Sequence, residues 1–375
     1  MQTFPISVCG GASGSLYIVN LEEERVIAKA EGVHDGQVSK EQQAGRPSIN
    51  TAKQAMEKLY GRLDGGGVIA VQIHGDIIAS SGREGGVKLS RITKYENDMH
   101  TSDNLEDIVD GDLIPLGSIH ELQKTIVTSL KFDSDGNLWC GCYDGTIRAY
   151  NMSDTSTAQS PPPQKPLFQS DFTDSVLDMD SCEDLNLGVA ATADGGAALF
   201  DMSTGQFFAG MMLFHGYACR SVVIVKHASD QGYSVMAGGS DGTIHRLPLK
   251  FDQDTGLVDQ DIPFDVLDTD DTTIKPKPHT GPVMNMASPS SGRFLSGGQD
   301  TSLRIWEFID DDEAADENKE EQTEQNKLQT KCLYALTGYK LWLGSICTDG
   351  RLLISDGGNE NIIMRDFRNR GIPNK

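Results

Sequence analysis

The chain has 375 residues, which is enough for two ordinary domains or for one large repeat domain. Its formal net charge is −23, from 55 acidic and 32 basic residues. This charge argues against a general nucleic-acid binder, which needs a basic surface, and against attraction to anionic membranes. The 40 glycines and 38% apolar residues are typical of a turn-rich all-β protein.

The cysteines and the hydropathy pattern indicate a compartment. There are seven cysteines and no Cys-x-x-Cys pair, so we interpret them as free thiols in a reducing environment. No stretch approaches the roughly 18 apolar residues of a membrane span. The first residues, MQTFPISVCGG, lack the charged region and apolar core of a secretory signal. We therefore expect a protein of the cytoplasm or the nucleus, with no cofactor and no bound metal.

A short phrase recurs seven times along the chain. Small residues end one strand, a polar turn residue follows, usually with Gly after it, and a short apolar strand comes next, as in SDGTIHRLPL and YDGTIRAYNM. Asp-Gly between two apolar runs is a strong hairpin signal, because Gly accepts positive φ and Asp bonds the nearby backbone. A repeat of this kind determines the architecture of the whole chain. The seven turn residues are Ser13, Glu84, Asp144, Asp194, Asp241, Asp300 and Asn359.

In the first part of the chain, the repeat is interrupted by two insertions. The first copy begins near Ile6, at the third strand of a four-strand unit, so this unit lacks two strands. The insertion at residues 36–66 contains a predicted helix from Ile49 to Leu63, with Ser48 as its N-cap and one apolar face. The insertion at residues 93–113 is acidic and polar.

The middle and last parts of the chain contain the clearest units. The turn at Asp144 is predicted to join the third and fourth strands of its unit, and residues 153–166 form a Pro-rich loop that we expect to be exposed. Residues 310–327 hold nine acids and are predicted to be disordered. For the units at Asp144 and Asp241, strands are predicted at Leu116–Glu121, Val127–Phe132, Leu138–Cys142 and Thr146–Met152, and at Phe207–Leu213, Ser221–Lys226, Tyr233–Ala237 and Thr243–Leu249.

These hairpins resemble the WD-repeat β-propeller family. The likeness extends to Trp306-Glu307, which stands where the family often places Trp-Asp, and to Phe200-Asp201 and Arg365-Asp366 in the same column. It implies one all-β domain over residues 1–375, a seven-bladed propeller of four-stranded antiparallel blades with one helical insertion and an incomplete closing blade. It also implies that Asp144, Asp194, Asp241, Asp300 and Asn359 are structural turn residues.

The family also places a His ahead of the second strand, where it bonds to the turn Asp. His279 in PHTGPV fits this column best, and His215 and His120 fit it loosely. The resemblance therefore implies that these His residues have a structural role and no catalytic one.

The sequence contains no pattern that indicates catalysis. It has no Walker-type Gly-Lys-Ser/Thr and no His-Glu-x-x-His, and its glycine pairs belong to hairpins. Ser13-Gly14-Ser15 superficially resembles a nucleophile elbow, but that motif needs a strand-to-helix turn. A propeller can still bring distant residues together at its central channel, so an enzymatic site there stays open as a third hypothesis.

We interpret the protein as a non-catalytic scaffold that presents surfaces to other proteins. The alternative is a substrate receptor of a cullin-RING ubiquitin ligase, because Asp366 and Arg368 match the Asp-x-Arg ending of that receptor motif, although Arg365 replaces its Trp. The acidic block at 310–327 is either a solvated loop or a docking segment for a basic partner. The helix at 49–63 either packs on the propeller or presents its apolar face to a partner's groove.

Overall fold

The computed structural model describes most of the chain, and every structural statement below concerns these residues. They form β-strands and two short 3₁₀ helices, His120–Lys124 and Glu183–Leu185. No helix among them is long and apolar enough to cross a membrane. The described residues are 6–21, 25–35, 67–93, 112–152, 162–172, 174–228, 232–249, 278–290, 292–309, 329–341, 343–356 and 362–367.

Seven antiparallel sheets carry the fold, each a meander of consecutive strands, and we call them blades 1 to 7. The chain contacts divide into two compact units, Met1–Val176 and Leu177–Lys375. The first unit holds three blades. Blade 1 comprises β1 (Ile6–Gly10), β2 (Leu16–Asn20) and β3 (Arg25–Ala30); blade 2 comprises β4 (Val68–His74), β5 (Ile77–Gly82), β6 (Val87–Thr93) and β7 (Asp112–Ile119); blade 3 comprises β8 (Val127–Phe132), β9 (Asn137–Cys142), β10 (Thr146–Asn151) and β11 (Phe168–Asp171).

The second unit holds the other four blades, apart from the first residue of blade 4. Blade 4 comprises β12 (Val176–Cys182), β13 (Leu187–Thr192), β14 (Gly196–Asp201) and β15 (Phe207–Met212); blade 5 comprises β16 (Cys219–Lys226), β17 (Tyr233–Gly239) and β18 (Ile244–Pro248); blade 6 comprises β19 (Val283–Ser290), β20 (Arg293–Gly298), β21 (Leu303–Ile309) and β22 (Gln329–Leu336); blade 7 comprises β23 (Ile346–Thr348), β24 (Leu352–Ser355) and β25 (Ile363–Asp366).

These seven sheets confirm the predicted all-β, seven-bladed propeller fold. Within the described residues, four blades have four strands, whereas blades 1, 5 and 7 have three. The interpretation of residues 1–375 as one domain stays a prediction.

The predicted four-strand units are shifted by one strand from the observed blades. The segment predicted as the first strand of the Asp144 unit, Leu116–Glu121, largely belongs to β7, which pairs with β6 of the preceding blade. Likewise β15 pairs with β14 and completes blade 4 before the chain enters blade 5. The reason is that the third strand of each blade has an open edge, and the returning chain satisfies its backbone groups. The turn therefore joins the second and third strands of a blade.

Neighbouring blades pack face to face through alternating apolar side chains. Blades 2 and 3 share a cluster that includes Leu89 and Leu138, and blades 4 and 5 share one that includes Val189 and Val235. Small residues at the ends of the second strands permit this approach, as the sequence predicts. A Cβ on Gly238, for example, would lie 2.6 Å from Cγ1 of Val283 in blade 6.

Carboxylates on the first strand of blade 4 also connect it to the first strand of blade 5. The Asp178 carboxylate accepts the Val222 N–H at 3.1 Å, and the Asp180 carboxylate accepts the Ile224 N–H at 2.8 Å. Both donors lie on β16, whose other edge pairs with β17. The two carboxylates thus satisfy backbone groups that the sheet itself leaves open.

The insertions are only partly described. The predicted helix at 49–63, with the whole 36–66 insertion, lies outside the described residues, as do 94–111 of the acidic insertion at 93–113 and all of the block at 310–327. Of the loop at 153–166, residues 162–166 are described, and Gln164 and Lys165 are exposed as predicted, whereas Pro162 is not. Pro162 is buried close to Gly117, and the Gln164 side chain accepts the backbone N–H of His120 at 3.1 Å.

Candidate protein-interaction face

The hairpin turns between the second and third strands define one face of each blade. In four of them the Asp carboxylate accepts the backbone N–H two residues later, at 3.0 to 3.2 Å. These hydrogen bonds hold the turn closed, and Thr or Ser hydroxyls add further ones. The acids are Asp144, Asp194, Asp241 and Asp300; Asn359 lies outside the described residues.

In blade 6 a buried hydrogen-bond network extends from the turn into the sheet. The Trp306 indole N–H donates to the Ser296 hydroxyl at 2.9 Å, and that hydroxyl lies 2.8 Å from His279 Nε2. His279 Nδ1 lies 3.0 Å from an Asp300 carboxylate oxygen. These contacts fit a neutral imidazole in which Ser296 donates to Nε2 and Nδ1–H donates to Asp300. Both ring nitrogens are therefore engaged in hydrogen bonds inside blade 6.

The electrostatics of this network agree with a neutral imidazole. Burial is the main cause that lowers the pKa of His279; the nearby Arg304 charge also lowers it, while Asp300 opposes the shift. For Asp300, burial raises the pKa, but hydrogen bonds from Ser302, His279 and Thr280 outweigh it and leave the pKa below its usual value. An ionised acid beside a neutral His is a structural arrangement that holds a loop in place.

Blade 2 contains a second network that the sequence reasoning missed. His34 is completely buried; its Nδ1 lies 2.5 Å from a Glu84 oxygen and its Nε2 lies 2.9 Å from the Ser80 hydroxyl. The insertion at 36–66 separates His34 from its turn and hides the relation in the sequence. A Ser four residues before the turn acid is the sequence signal for a buried His of this kind. Ser80 and Ser296 occupy that position in blades 2 and 6. Blades 3, 4 and 5 have Cys140, Ala190 and Ala237 there instead.

His120 and His215 do not occupy the predicted position, which corrects the looser part of that assignment. His215 is exposed, and the buried site beside the Asp241 turn is filled by Phe214, whose ring stands edge-on to His245 at 4.6 Å. His120 is exposed at the start of a 3₁₀ helix. The physical reason is the missing Ser: with Ala237 or Cys140 in that column, a buried imidazole would lack its second hydrogen-bond partner.

The connecting loops are bonded to the turns of two neighbouring blades. The His279 backbone N–H donates to Gly242 O in the turn of blade 5, while its ring bonds to the turn of blade 6. His34 makes the same pair of contacts with Gly14 O and Glu84, and the Phe214 N–H donates to Gly195 O. These loops therefore hold fixed positions on the turn-bearing face of each unit.

A Lys or Arg follows the turn acid by four positions in three blades. Lys88 Nζ lies 3.2 Å from Glu84, and an Arg148 guanidinium nitrogen lies 2.9 Å from Asp144. Arg304 has the same place in blade 6, paired across the sheet with Ser296 and Ala335. Its Nε is buried without a hydrogen-bond partner in the described part of the chain.

Large apolar side chains are exposed on outer strands and on the connecting loops. Tyr334 on β22 is 64% exposed, and Tyr217 in the loop after blade 4 is 54% exposed. One of the two residues of the ligase hypothesis is described by the structure. Asp366 is partly buried at the end of β25, whereas Arg368 lies outside the described residues. The other exposed apolar residues are Val26, Ile114, Leu167, Phe207, Met212, Leu341, Ile362 and Phe367.

The described residues contain few groups that are arranged for metal binding or for nucleophilic attack. No group of three His, Cys, Asp or Glu side chains among them is arranged to hold a metal ion. All seven cysteines are free thiols. Burial raises the pKa of the Cys142 thiol to about 12, and it also raises that of Cys140, so neither is a ready nucleophile.

Comparisons with known proteins agree with this architecture. Residues 116–151 and 272–307 match the family model described as WD domain, G-beta repeat. No curated protein matches the chain. The crystal structure of the computationally designed Ika8 protein is similar, with a TM-score of 0.54 and 18% identity over 98% of this chain and 82% of that chain. At this identity the likeness concerns the fold alone.

Proposed function

Since two of its repeats match the family model and its seven sheets share one plan, the chain is a WD-repeat β-propeller, and we propose that it is a non-catalytic scaffold for partner proteins. A propeller fold of this kind generally binds other proteins. The observation that carries the proposal is the double attachment of the connecting loops to the turns of two blades, as at His279. Loops fixed in this way present side chains at constant positions, which lowers the entropic cost of binding.

The exposed apolar side chains of these loops are the proposed contacts. Tyr217 lies beside the turn of blade 4, and Leu341 follows blade 6 on an equivalent loop. Aromatic side chains supply much of the binding energy at interfaces. The proposal places the protein in the cytoplasm or the nucleus, where its seven thiols stay reduced.

Affinity purification with mass spectrometry tests the proposal. The tagged full chain at near-native expression is expected to recover a reproducible set of proteins, and Tyr217→Ala is expected to lose part of this set. Phe207→Ala, on an outer strand of the same unit, is the matched control. Recovery of chaperones only would contradict the scaffold. A fluorescent fusion checks the compartment.

The ligase hypothesis keeps a separate test. If Asp366 and Arg368 form a receptor motif, a cullin and its adaptor are recovered with the wild-type chain and are lost with Arg368→Ala. Their absence from the wild-type sample would end this hypothesis and leave the general scaffold intact.

The acidic block is tested by deletion of residues 310–324. If the block docks a basic partner, the deletion removes basic proteins from the recovered set and leaves the others. An unchanged set would show that the block has no docking role.

A further inference from the structure

The turn acids of blades 2, 3 and 6 offer a comparison between three basic side chains in the same place. Lys88, Arg148 and Arg304 each follow the turn acid by four residues on the third strand of their blade. Two of them form an ion pair with that acid. Arg304 forms no such pair with Asp300, and its Nε is buried without a hydrogen-bond partner within the described residues.

The hydrogen bonds of Asp300 explain why it forms no ion pair with Arg304. One carboxylate oxygen accepts the Ser302 N–H at 3.1 Å and the Ser302 hydroxyl at 2.7 Å, and it faces His279 Nδ1. The other oxygen accepts the Thr280 N–H at 3.1 Å. Blade 3 has no His, and there the second oxygen of Asp144 is available to Arg148.

In blade 2 the turn acid is Glu84, and the same oxygen contacts both His34 Nδ1 and Lys88 Nζ. The extra methylene of Glu gives it a longer reach than Asp has. With the shorter Asp300, the His-containing turn of blade 6 cannot serve both its His and its Arg. The lack of an ion pair between Arg304 and Asp300 thus follows from the combination of an Asp at the turn with a His in the connecting loop.

A buried guanidinium N–H without an acceptor is costly in a protein, because it loses water and gains no hydrogen bond in return. It also stands out in a chain whose net charge is −23. Its cross-strand neighbour on β22, Ala335, is small and exposed. The cost is recovered when an external anion reaches the site, and Arg presents a planar fork that matches carboxylate or phosphate oxygens.

We propose that Arg304 is an anion-recognition point on the turn-bearing face of blade 6, where it binds an anionic side chain, carboxylate or phosphate, of a partner protein. This inference rests on the proposed scaffold function and adds the chemistry of one contact. Ala335 is exposed at one side of the site, and the buried Trp306 and His279 are both hydrogen-bonded to Ser296, the other cross-strand neighbour of Arg304.

Peptide binding tests the proposal directly. A peptide of alternating Glu and Gly, a version with phosphoserine in place of the Glu residues, and a neutral version with Gln are labelled with an uncharged dye and titrated by fluorescence anisotropy. At about 150 mM salt, which screens the global negative charge, we expect the wild-type chain to bind at least one anionic peptide and not the neutral one. The tighter anionic peptide identifies the source of the anion.

The variants make the test specific to Arg304. Arg304→Gln is expected to weaken the anionic peptide by about tenfold or more, the size of a charge-assisted contact. Arg304→Lys, which keeps the charge and guards against misfolding, is expected to retain part of the binding. Arg148→Gln, whose cation is already paired, is the matched control and is expected to bind as the wild type does.

Equal affinity of the wild type and Arg304→Gln would overturn the proposal, and so would the absence of binding by both anionic peptides. The scaffold function is judged separately, from the proteins recovered with the tagged chain. If Arg304→Gln and the wild type recover the same set, the scaffold stands and the anion site falls. If the wild type recovers no partner, the scaffold itself fails.

Discussion

At the scale of single residues, the His and Asp side chains of the described turns are engaged in hydrogen bonds within the blades. His279 shows this most clearly, because both ring nitrogens are committed to hydrogen bonds inside blade 6 and the ring is completely buried. A buried polar network of this kind is expensive to interrupt, since the remaining partners lose their bonds without access to water. The chain offers exposed histidines for comparison.

We expect His279→Ala to lower the free energy of unfolding by about 2–3 kcal/mol, because it leaves Ser296 and Asp300 with broken hydrogen bonds. Urea unfolding followed by circular dichroism measures the change. His215→Ala, at an exposed position, is the control and should stay within about 0.5 kcal/mol of the wild type. Equal effects of the two substitutions would contradict the network.

The same residue predicts a pH dependence. Since burial lowers the pKa of His279, the unfolded chain takes up a proton on acidification before the folded chain does, so stability falls as the pH drops below about 6.5. Asp300 also has a lowered pKa, and its contribution is lost at more acidic pH, below about 4. His279→Phe should flatten the decline between about pH 6.5 and 5, as measured by urea unfolding at each pH. An unchanged slope would argue against a neutral buried His279.

At the scale of elements, each blade is a simple meander of consecutive strands. The specific features of this chain are the side-chain contacts that connect neighbouring blades. Asp178 and Asp180 supply one such contact, because their carboxylates accept backbone N–H groups from the first strand of blade 5. Alternation places both side chains on the same side of β12. The sequence shows two acids on one strand, but it does not show that their carboxylates reach the edge of the neighbouring blade.

We expect Asp180→Ala to destabilise the protein by about 1–3 kcal/mol, because the Ile224 N–H loses its acceptor at a partly buried edge. Glu31→Gln is the control, since Glu31 is highly exposed and its ion pair with Lys29 lies at the surface. Thermal and urea unfolding measure both variants. The interpretation fails if Asp180→Ala is as stable as Glu31→Gln.

At the scale of the whole molecule, charge is the dominant property. A net charge of −23 disfavours the compact state through self-repulsion and also keeps molecules apart. In so acidic a chain, a cation that forms no ion pair with its turn acid, such as Arg304, is unusual. The binding of anionic groups of a partner would then be confined to the few positions where this chain has such a cation.

Added salt should therefore stabilise the protein. An increase in NaCl from about 20 to 200 mM screens the repulsion among surface acids, and we expect the thermal midpoint to rise by roughly 2 °C. Differential scanning fluorimetry measures this shift, and a protein near neutrality serves as the reference. A falling midpoint would mean that favourable ion pairs outweigh the repulsion.

The sequence alone predicts the fold class, because turn chemistry and alternation are local. Asp144, Asp241 and Asp300 bond to residues two positions away, and the strands beside Asp144 and Asp241 are close to their predicted bounds. The repeat therefore determines how many blades there are. His279 is also predictable, since no insertion separates it from Asp300 and Ser296.

Only the tertiary structure decides which residues meet across long separations. It groups β7 with blade 2 and β15 with blade 4, because backbone edges pair in space and leave no mark in the repeat. It brings His34 to Glu84 across the 36–66 insertion, and it puts Phe214 where the sequence suggests His215. It also shows that both Asp300 oxygens accept hydrogen bonds, whereas Arg304 Nε has no such partner in the described part of the chain, a difference that residue types alone do not contain.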